Sequence, residues 1–379
     1  MRIMEERNMK QWNYQSTTTQ STGYEALLDE LKMYTKEKYV REDEVGRKKI
    51  QEEVLKIYRS KDIYPITYYN ENGIHQEIRK CINKDVSFEG SVLNLKFNQG
   101  QSLCRFLMPN LHGVAVKGAN NNDMLSRFYD DHKLKRAIDF CLRFKKSVTP
   151  AEIRTALEMI GGGFATNYKT MNAKALFERY TPKNGVIYDF ASGFGGRMLG
   201  ALSSKNEYTY IGVEPCSETF YNLQVLGKHI ENVTHRQNSF ELHMVGSEDF
   251  VGEPCSVDFA FSSPPYFNLE QYSKEETQCY VKYPTLDEWI EKYVKKTIAN
   301  IHYMLKDDCH YAVNIADFNI SSKERVEFVD KWIELSIAQG FEHVDTITQK
   351  LQTRRGVGHK ENGVDKDKKE GIYVFKKVK

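Results

Sequence analysis

The chain has 379 residues, 40% of them hydrophobic and 28% charged, with a formal net charge of +2. That length carries more than one average domain and fewer than three, and the balance of apolar and charged residues is that of a globular core. No run of about 18 apolar residues is present, so no membrane span is expected, and a charge this close to zero does not by itself announce nucleic acid.

The first twenty residues are polar and lack the apolar stretch of a signal peptide, so a cytoplasmic address is expected. Ser, Thr, Gln and Asn dominate residues 1–22, which reads as a flexible N-terminus. Leu27, Leu28, Leu31, Ile50, Val54 and Ile57 then fall at helical spacing, so residues 24–59 are expected to be helical. Residues 63–118 hold short apolar stretches broken by Gly and Asn, such as Ser91–Phe97 and Gly113–Lys117, and read as strands and loops. Helical patterning returns from Asp123 to Met159, with Pro150 after Thr149 opening a further helix. Residues 23–150 are therefore expected to form an N-terminal mixed α+β domain, and residues 151–379 a second domain.

From about residue 181 strands and helices alternate. Val186–Asp189, Tyr208–Glu214, Val257–Ser262 and His310–Ile315 are short apolar runs. A helix from Leu286 to about Leu305 starts at Thr285 and Glu288, which have capping-box spacing. Another covers Lys323–Gln339 and stops at Gly340. Phe341–Thr346, a polar basic loop and Gly371–Val378 end the chain. Such alternation predicts a mostly parallel sheet covered on both faces. The seven cysteines, Cys81, Cys104, Cys141, Cys216, Cys255, Cys279 and Cys309, contain no CxxC pair, so buried free thiols are expected rather than a metal site or disulfides.

Two stretches carry chemistry. Asp189-Phe190-Ala191-Ser192-Gly193-Phe194-Gly195-Gly196-Arg197 follows the first strand of the alternating region and precedes a helix over Met198–Leu202. In open α/β sheets ligands bind at the C-terminal ends of strands, and glycines there let the backbone come close. Glu214 ends the next strand, where an acid accepts hydrogen bonds from ribose hydroxyls. Loop and acid together imply an adenosine-containing ligand. The spacing is G-x-G-G rather than the G-x-G-x-x-G of a dinucleotide fold. With Asp189 ahead of the glycines it resembles motif I of the S-adenosylmethionine-dependent methyltransferases, in which the loop wraps the amino-acid part of the cofactor.

The second stretch is Ser263-Pro264-Pro265-Tyr266, directly after the Val257–Ser262 strand. Two prolines stiffen the loop and leave carbonyls free to accept. This suits a planar substrate with an amino group, bonded to the Ser263 hydroxyl and the Pro264 carbonyl and stacked on Tyr266. The stretch resembles motif IV of the amino-methyltransferases, [D/N/S]-P-P-[Y/F]. The motif I-before-IV order covers about residues 160–379 and implies a Rossmann-like seven-stranded sheet with an antiparallel last strand. The chain as a whole resembles stand-alone bacterial and phage DNA methylases.

The resemblance implies S-adenosyl-L-methionine as cofactor and Asp189, Ala191, Ser192, Gly193, Gly195 and Glu214 among its contacts. It further implies an adenine contact from Ser247 and Glu248 within Gly246–Asp249, with Asn238-Ser239 as the competing choice. A segment closing over the methionine end is sought in Thr166–Lys169, chiefly Asn167 and Tyr168. DNA is the expected partner, with or without a cognate restriction enzyme, and cytosine N4 is favoured over adenine N6 because Ser leads motif IV. The target base must be flipped out of the duplex. Tyr266 and Phe267 are expected to receive it, and Glu270 and Arg197, which with Tyr272 flank the motifs, are expected to touch substrate or DNA. Arg354, Arg355 and Lys360, in the basic loop before the last strand, are expected on DNA phosphates. RNA guanine, a protein glutamine amide, and a catalytically inactive nucleic-acid binder remain as other readings. A cytosine C5 mechanism is excluded because neither Pro215-Cys216 nor Pro254-Cys255 occupies the loop that Ser263–Tyr266 fills.

Overall fold

The computed structural model describes residues 17–116, 123–145, 147–161, 163–237, 239–321, 324–350, 360–361, 364–365 and 369–378. The chain divides into two compact units. One comprises residues 1–74, 102–166 and 270–272, and the other residues 75–101, 167–269 and 273–379. The division therefore falls elsewhere than residue 150: residues 75–101 join the sheet-bearing unit and residues 151–166 the other.

The first unit is built of helices, with one two-residue strand pair, Ala115–Val116 against Glu270–Gln271. The helical pattern over residues 24–59 is three helices, Thr17–Leu31, Lys36–Arg41 and Glu44–Lys61. Thr35 and Asp43 interrupt them because each side chain caps the helix that follows, accepting from the N–H of Lys38 and of Gly46. Helix thus begins inside the segment expected to be flexible, while residues 1–16 lie outside the described residues. The expected strand-and-loop region holds the helices Glu71–Ile82 and Gln101–Leu107, and its strands shrink to two residues each. Asp123, Asp130 and Pro150 start the helices Met124–Tyr129, Asp131–Phe144 and Pro150–Ile160.

The second unit is organised around one eight-stranded sheet. Its strands in chain order are β1 (Val92–Leu93), β2 (Val186–Asp189), β3 (Thr209–Val213), β4 (Phe240–His243), β5 (Val257–Ser262), β6 (Leu305–Ile315), β7 (Phe341–Lys350) and β8 (Lys369–Lys377). Their spatial order is β1-β7-β8-β6-β5-β2-β3-β4. β8 runs antiparallel to both neighbours and every other pairing is parallel. The antiparallel last strand is as expected. The strand count is eight rather than seven because Val92–Leu93 adds a short edge beside β7.

The chain leaves β2 toward β3 on one side, while β5 lies on the other. The C-terminal ends of β2 and β5 are thus neighbours at the point where strand order reverses, where a ligand crevice forms in such sheets. β5 is buried along its whole length. Trp289, Ile298, Ile301, Tyr311, Phe328 and Trp332 are all within 1% of full burial and form the core on one face. The helix expected from Leu286 is present, with the capping hydrogen bond of Glu288 N–H to Thr285 Oγ1 at 3.3 Å, but a π-helical turn at Ile290–Val294 divides it. The helix expected over Lys323–Gln339 begins only at Phe328, since Glu324–Val326 pairs as a strand with Phe318–Ser321. Among the described residues no helix is long and apolar enough to cross a membrane, and no group of His, Cys, Asp and Glu could hold a metal ion. All seven cysteines are free; five are buried, Cys309 is half-buried and Cys255 is exposed.

Candidate active site

β2 ends in Asp189, and the glycine loop folds back over that carboxylate. Arg197 Nε donates to Asp189 Oδ2 at 2.9 Å, the Tyr210 hydroxyl donates to the same oxygen at 2.8 Å, and Ala191 N–H reaches Oδ1 at 3.3 Å. Both charges are buried, with 5% of the Arg197 and none of the Asp189 side chain exposed. Arg197 also donates to the Ala191 carbonyl. Arg197, expected on substrate or DNA, is instead held inside the loop with 5% of its side chain exposed, and Asp189 Oδ2 takes both side-chain donors.

The loop then turns through Gly195, whose φ of 78° is a left-handed conformation that favours glycine. Gly196 opens the helix Gly196–Leu202. A Cβ on Gly196 would stand 2.2 Å from the Tyr168 carbonyl oxygen, so the backbones touch and no side chain fits. Asn167 fastens this approach from the other strand of chain: its Nδ2 donates to the Phe194 carbonyl at 2.7 Å, and its Oδ1 accepts from Gly196 N–H at 3.3 Å. Tyr168 follows, its hydroxyl donating to Gln349 Oε1 at 2.5 Å and its ring packed edge-on to Phe261. The fold thus brings Asn167 and Tyr168 to the glycine loop. Ser192 is buried, tied to the Val213 carbonyl at 2.9 Å and to the Tyr210 hydroxyl.

Glu214 stands just beyond β3. Its two oxygens accept from Gly193 N–H and Cys216 N–H, each at 2.9 Å. Burial pushes its carboxyl up to about 7, although both backbone donors act to lower it. The folded chain therefore takes up this proton more readily than the unfolded one. Stability from this group is full below about 4.5 and is lost as pH rises through about 7. Replacing Glu214 with Gln should flatten the wild-type loss across that window, as read by thermal unfolding of both proteins at a series of pH values. Identical slopes would show that Glu214 ionises freely in the fold.

The Gly246–Asp249 turn lies between β4 and β5, closed by Asp249 N–H to the Gly246 carbonyl at 3.1 Å. Ser247 Oγ meets Thr297 Oγ1 at 2.7 Å, and Asn300 Nδ2 donates to the Ser247 carbonyl at 2.9 Å. Glu248 is buried; Lys282 holds its Oε1 at 2.5 Å, and its buried Oε2 has no hydrogen-bond partner in the structure. The competing pair is less informative: Asn238 lies outside the described residues, and Ser239 N–H serves Glu231.

β5 delivers Ser262 and Ser263 to the same end of the sheet. Ser262 Oγ donates to the Ala191 carbonyl at 3.2 Å, which ties the two motif loops together. Ser263 Oγ donates to the Asn314 carbonyl at 3.1 Å, and Asn314 is in turn anchored to the Gly371 carbonyl on β8. Pro264 is buried, and Ser263, Pro265 and Tyr266 are half-buried. Tyr266 meets Phe318 and Phe328 with ring centroids 6.0 and 6.2 Å away.

Phe267 does not join Tyr266. At a φ of 49° it turns into the core, 4% exposed and 5.8 Å from the Trp289 ring, so it is no surface for a base. Glu270 and Tyr272 belong to the helical unit, where the Tyr272 hydroxyl bonds Glu270. Arg354, Arg355 and the Lys360 side chain lie outside the described residues. Sequence reading missed Ser262, Asn314 and Lys282. The serine doublet before the prolines was a visible signal for the first; the other two are joined to the site only by folding.

No protein-family model matches the chain, and a search of curated proteins finds no match. Among solved structures, the chain is similar to a TehB-like S-adenosylmethionine-dependent methyltransferase from Corynebacterium glutamicum, with 14% identity over 56% of this chain and 90% of that one and a TM-score of 0.33. It is similar to a Burkholderia thailandensis 1,6-didemethyltoxoflavin N1-methyltransferase with bound S-adenosylhomocysteine, with 14% identity over 55% and 78% and a TM-score of 0.35. It is also similar to the [4+2]-cyclase SpnF, with 13% identity over 55% and 82% and a TM-score of 0.38. The sheet, with β8 inserted antiparallel between β7 and β6, is a mostly parallel α/β sheet. A fold does not fix a reaction, and the reaction must be argued from the residues.

Proposed function

We propose that this protein is an S-adenosylmethionine-dependent methyltransferase acting on an exocyclic amino nitrogen of a flipped base in DNA, with cytosine N4 favoured over adenine N6. The observation that carries the reading is the hydrogen bond from Ser263 Oγ to the Asn314 carbonyl. With its proton committed there, the hydroxyl oxygen keeps lone pairs for an incoming amino hydrogen. Pro264 offers a carbonyl beside it and no competing N–H. An amino group held by two acceptors is oriented, and its nitrogen lone pair is kept out of the ring. Tyr266 supplies the ring on which the base stacks. Ser leading the motif is the feature that favours cytosine N4.

The residues present fit the cofactor. At Gly193 a Cβ would meet nothing nearer than 3.7 Å, so the loop stays open to a ligand there, and Glu248 Oε2 is a buried acceptor awaiting a donor. Glu214 would take the ribose hydroxyls, and Asn167 and Tyr168 would close over the methionine end. When bound, the cofactor supplies a methyl group on a sulfonium, transferred by direct displacement. The ends of β2 and β5 are joined through Ser262 and Ala191, and they would hold donor and acceptor side by side. The helical unit is assigned to target recognition, and Arg354, Arg355 and Lys360 to DNA phosphates.

Single-molecule modification sequencing of DNA from cells expressing the protein, beside a Ser263→Ala control, tests this. A modified motif that vanishes in the control is expected, and the modified base decides between N4 and N6. Unmodified DNA from a protein that binds S-adenosylmethionine in vitro would overturn the DNA assignment in favour of RNA or a protein amide.

A further inference from the structure

Lys282 lies 34 residues from Glu248 in sequence and on a different connection, the four-residue helix Cys279–Lys282 after β5. Its ammonium nevertheless stands 2.5 Å from Glu248 Oε1 and 2.5 Å from Asp249 Oδ2, and 5.2 Å from the Tyr283 ring centroid. Burial alone would depress this ammonium, but the hydrogen bonds to Asp249 and Glu248 outweigh that and push it up. The lysine therefore stays charged beside a carboxylate that is itself buried.

The two oxygens of Glu248 are treated differently. Oε1 is neutralised by Lys282, whereas Oε2 is buried with no partner. Oε2 lies over Gly246, where a Cβ would come within 2.2 Å of it, so residue 246 leaves the space that this oxygen occupies. The backbone of the turn does not depend on Lys282. Asn300 holds the Ser247 and Glu248 carbonyls at 2.9 and 3.2 Å, and Thr297 holds the Ser247 hydroxyl. Lys282 thus acts on the carboxylate and leaves the turn's main chain to others. An unpartnered buried acceptor is costly, and a ligand that brings a donor to it relieves that cost.

We propose that Lys282 is a positioning residue for nucleoside binding: by holding Glu248 Oε1 it fixes the orientation of the carboxylate and leaves Oε2 for an N–H donor on the bound base. The inference rests on the cofactor reading given above, with the exocyclic amino group of adenine as the donor. The chemistry is hydrogen bonding alone, with no covalent step.

The test is calorimetric binding of S-adenosylhomocysteine and of its inosine counterpart, in which a carbonyl replaces the amino group, to the full-length wild type, Lys282→Met and Lys282→Arg. The wild type is expected to prefer the adenosine ligand by about tenfold, the size of a hydrogen bond to a charged group. Lys282→Met should weaken the adenosine ligand by a similar factor and erase the preference, while the inosine ligand changes little. Lys282→Arg should restore both. A Lys282→Met protein that keeps the preference, or that loses both ligands equally, overturns the positioning role and leaves the cofactor reading standing. A wild type that binds neither ligand overturns the cofactor reading and this inference with it. Thermal unfolding of each variant separates loss of binding from loss of fold.

Discussion

Replacing Arg197 with Met should destabilise the chain by about 3–5 kcal/mol, the cost of removing one partner from a buried ion pair. The substitution keeps most of the apolar stem and deletes the guanidinium. Asp189 is then left fully buried, with only the Tyr210 hydroxyl at 2.8 Å and the Ala191 N–H at 3.3 Å to support its charge. The Ala191 carbonyl loses one of two donors and keeps Ser262 Oγ. Urea unfolding of the two proteins measures the effect as a lower midpoint at unchanged slope. The double variant Asp189→Asn, Arg197→Met should recover much of the loss, since no buried charge remains and an amide oxygen still accepts from Tyr210. A loss below about 1 kcal/mol in the single variant, the range of exposed pairs, would mean that water reaches this pair.

The same pair shows where sequence reading stops. Asp189 was legible as the acid before a glycine loop, and its position at the end of β2 is as expected. What the pattern could not disclose is that Arg197, eight residues on, folds back to meet it. An arginine after a glycine loop looks the same in sequence whether it points inward or outward; here Asp189 and the Ala191 carbonyl receive it. The strand cores around 186–189, 209–213 and 257–262 were legible because buried parallel strands are continuous apolar runs bounded by turn residues. The helices within residues 63–118 were missed for a related reason. Helix Glu71–Ile82 has Ile74, Ile78 and Cys81 at helical spacing, yet Gly73 and the flanking Asn residues mimic loop punctuation. The π turn at Ile290–Val294 left no trace in the apolar periodicity, since Tyr293 and Val294 are buried in either register.

Phe267 is a second such case. Adjacent aromatic residues after two prolines read naturally as one base-binding platform. The left-handed backbone at Phe267 separates them, sending its ring to Trp289 while Tyr266 stays against Phe318 and Phe328. A positive φ at an aromatic residue is uncommon and no composition rule announces it. Under the proposed function, stacking on the base therefore falls to Tyr266 alone.

That division gives the largest expected effect on turnover. Tyr266→Ala should lower kcat by about 100-fold or more, the scale of a reacting group misplaced by about 1 Å. The dissociation constant for S-adenosylmethionine should stay near that of the wild type, because Ser262 and Ala191, not Tyr266, join the two loops. Tyr266→Phe keeps the ring and should keep most of the turnover. Some stability will also go in the alanine variant, on the order of 1 kcal/mol for each lost aromatic contact, so rates must be compared well below its unfolding temperature. Single-turnover methylation of a DNA containing the modified site, at saturating cofactor, reads the chemical step alone. Phe267→Leu offers the contrast: a buried substitution beside Trp289 should lower the unfolding temperature and leave the single-turnover rate close to wild type. If Phe267→Leu instead abolished turnover in a folded protein while Tyr266→Ala did not, the base would be stacking on a ring that this fold turns inward, and the assignment of Tyr266 would fall.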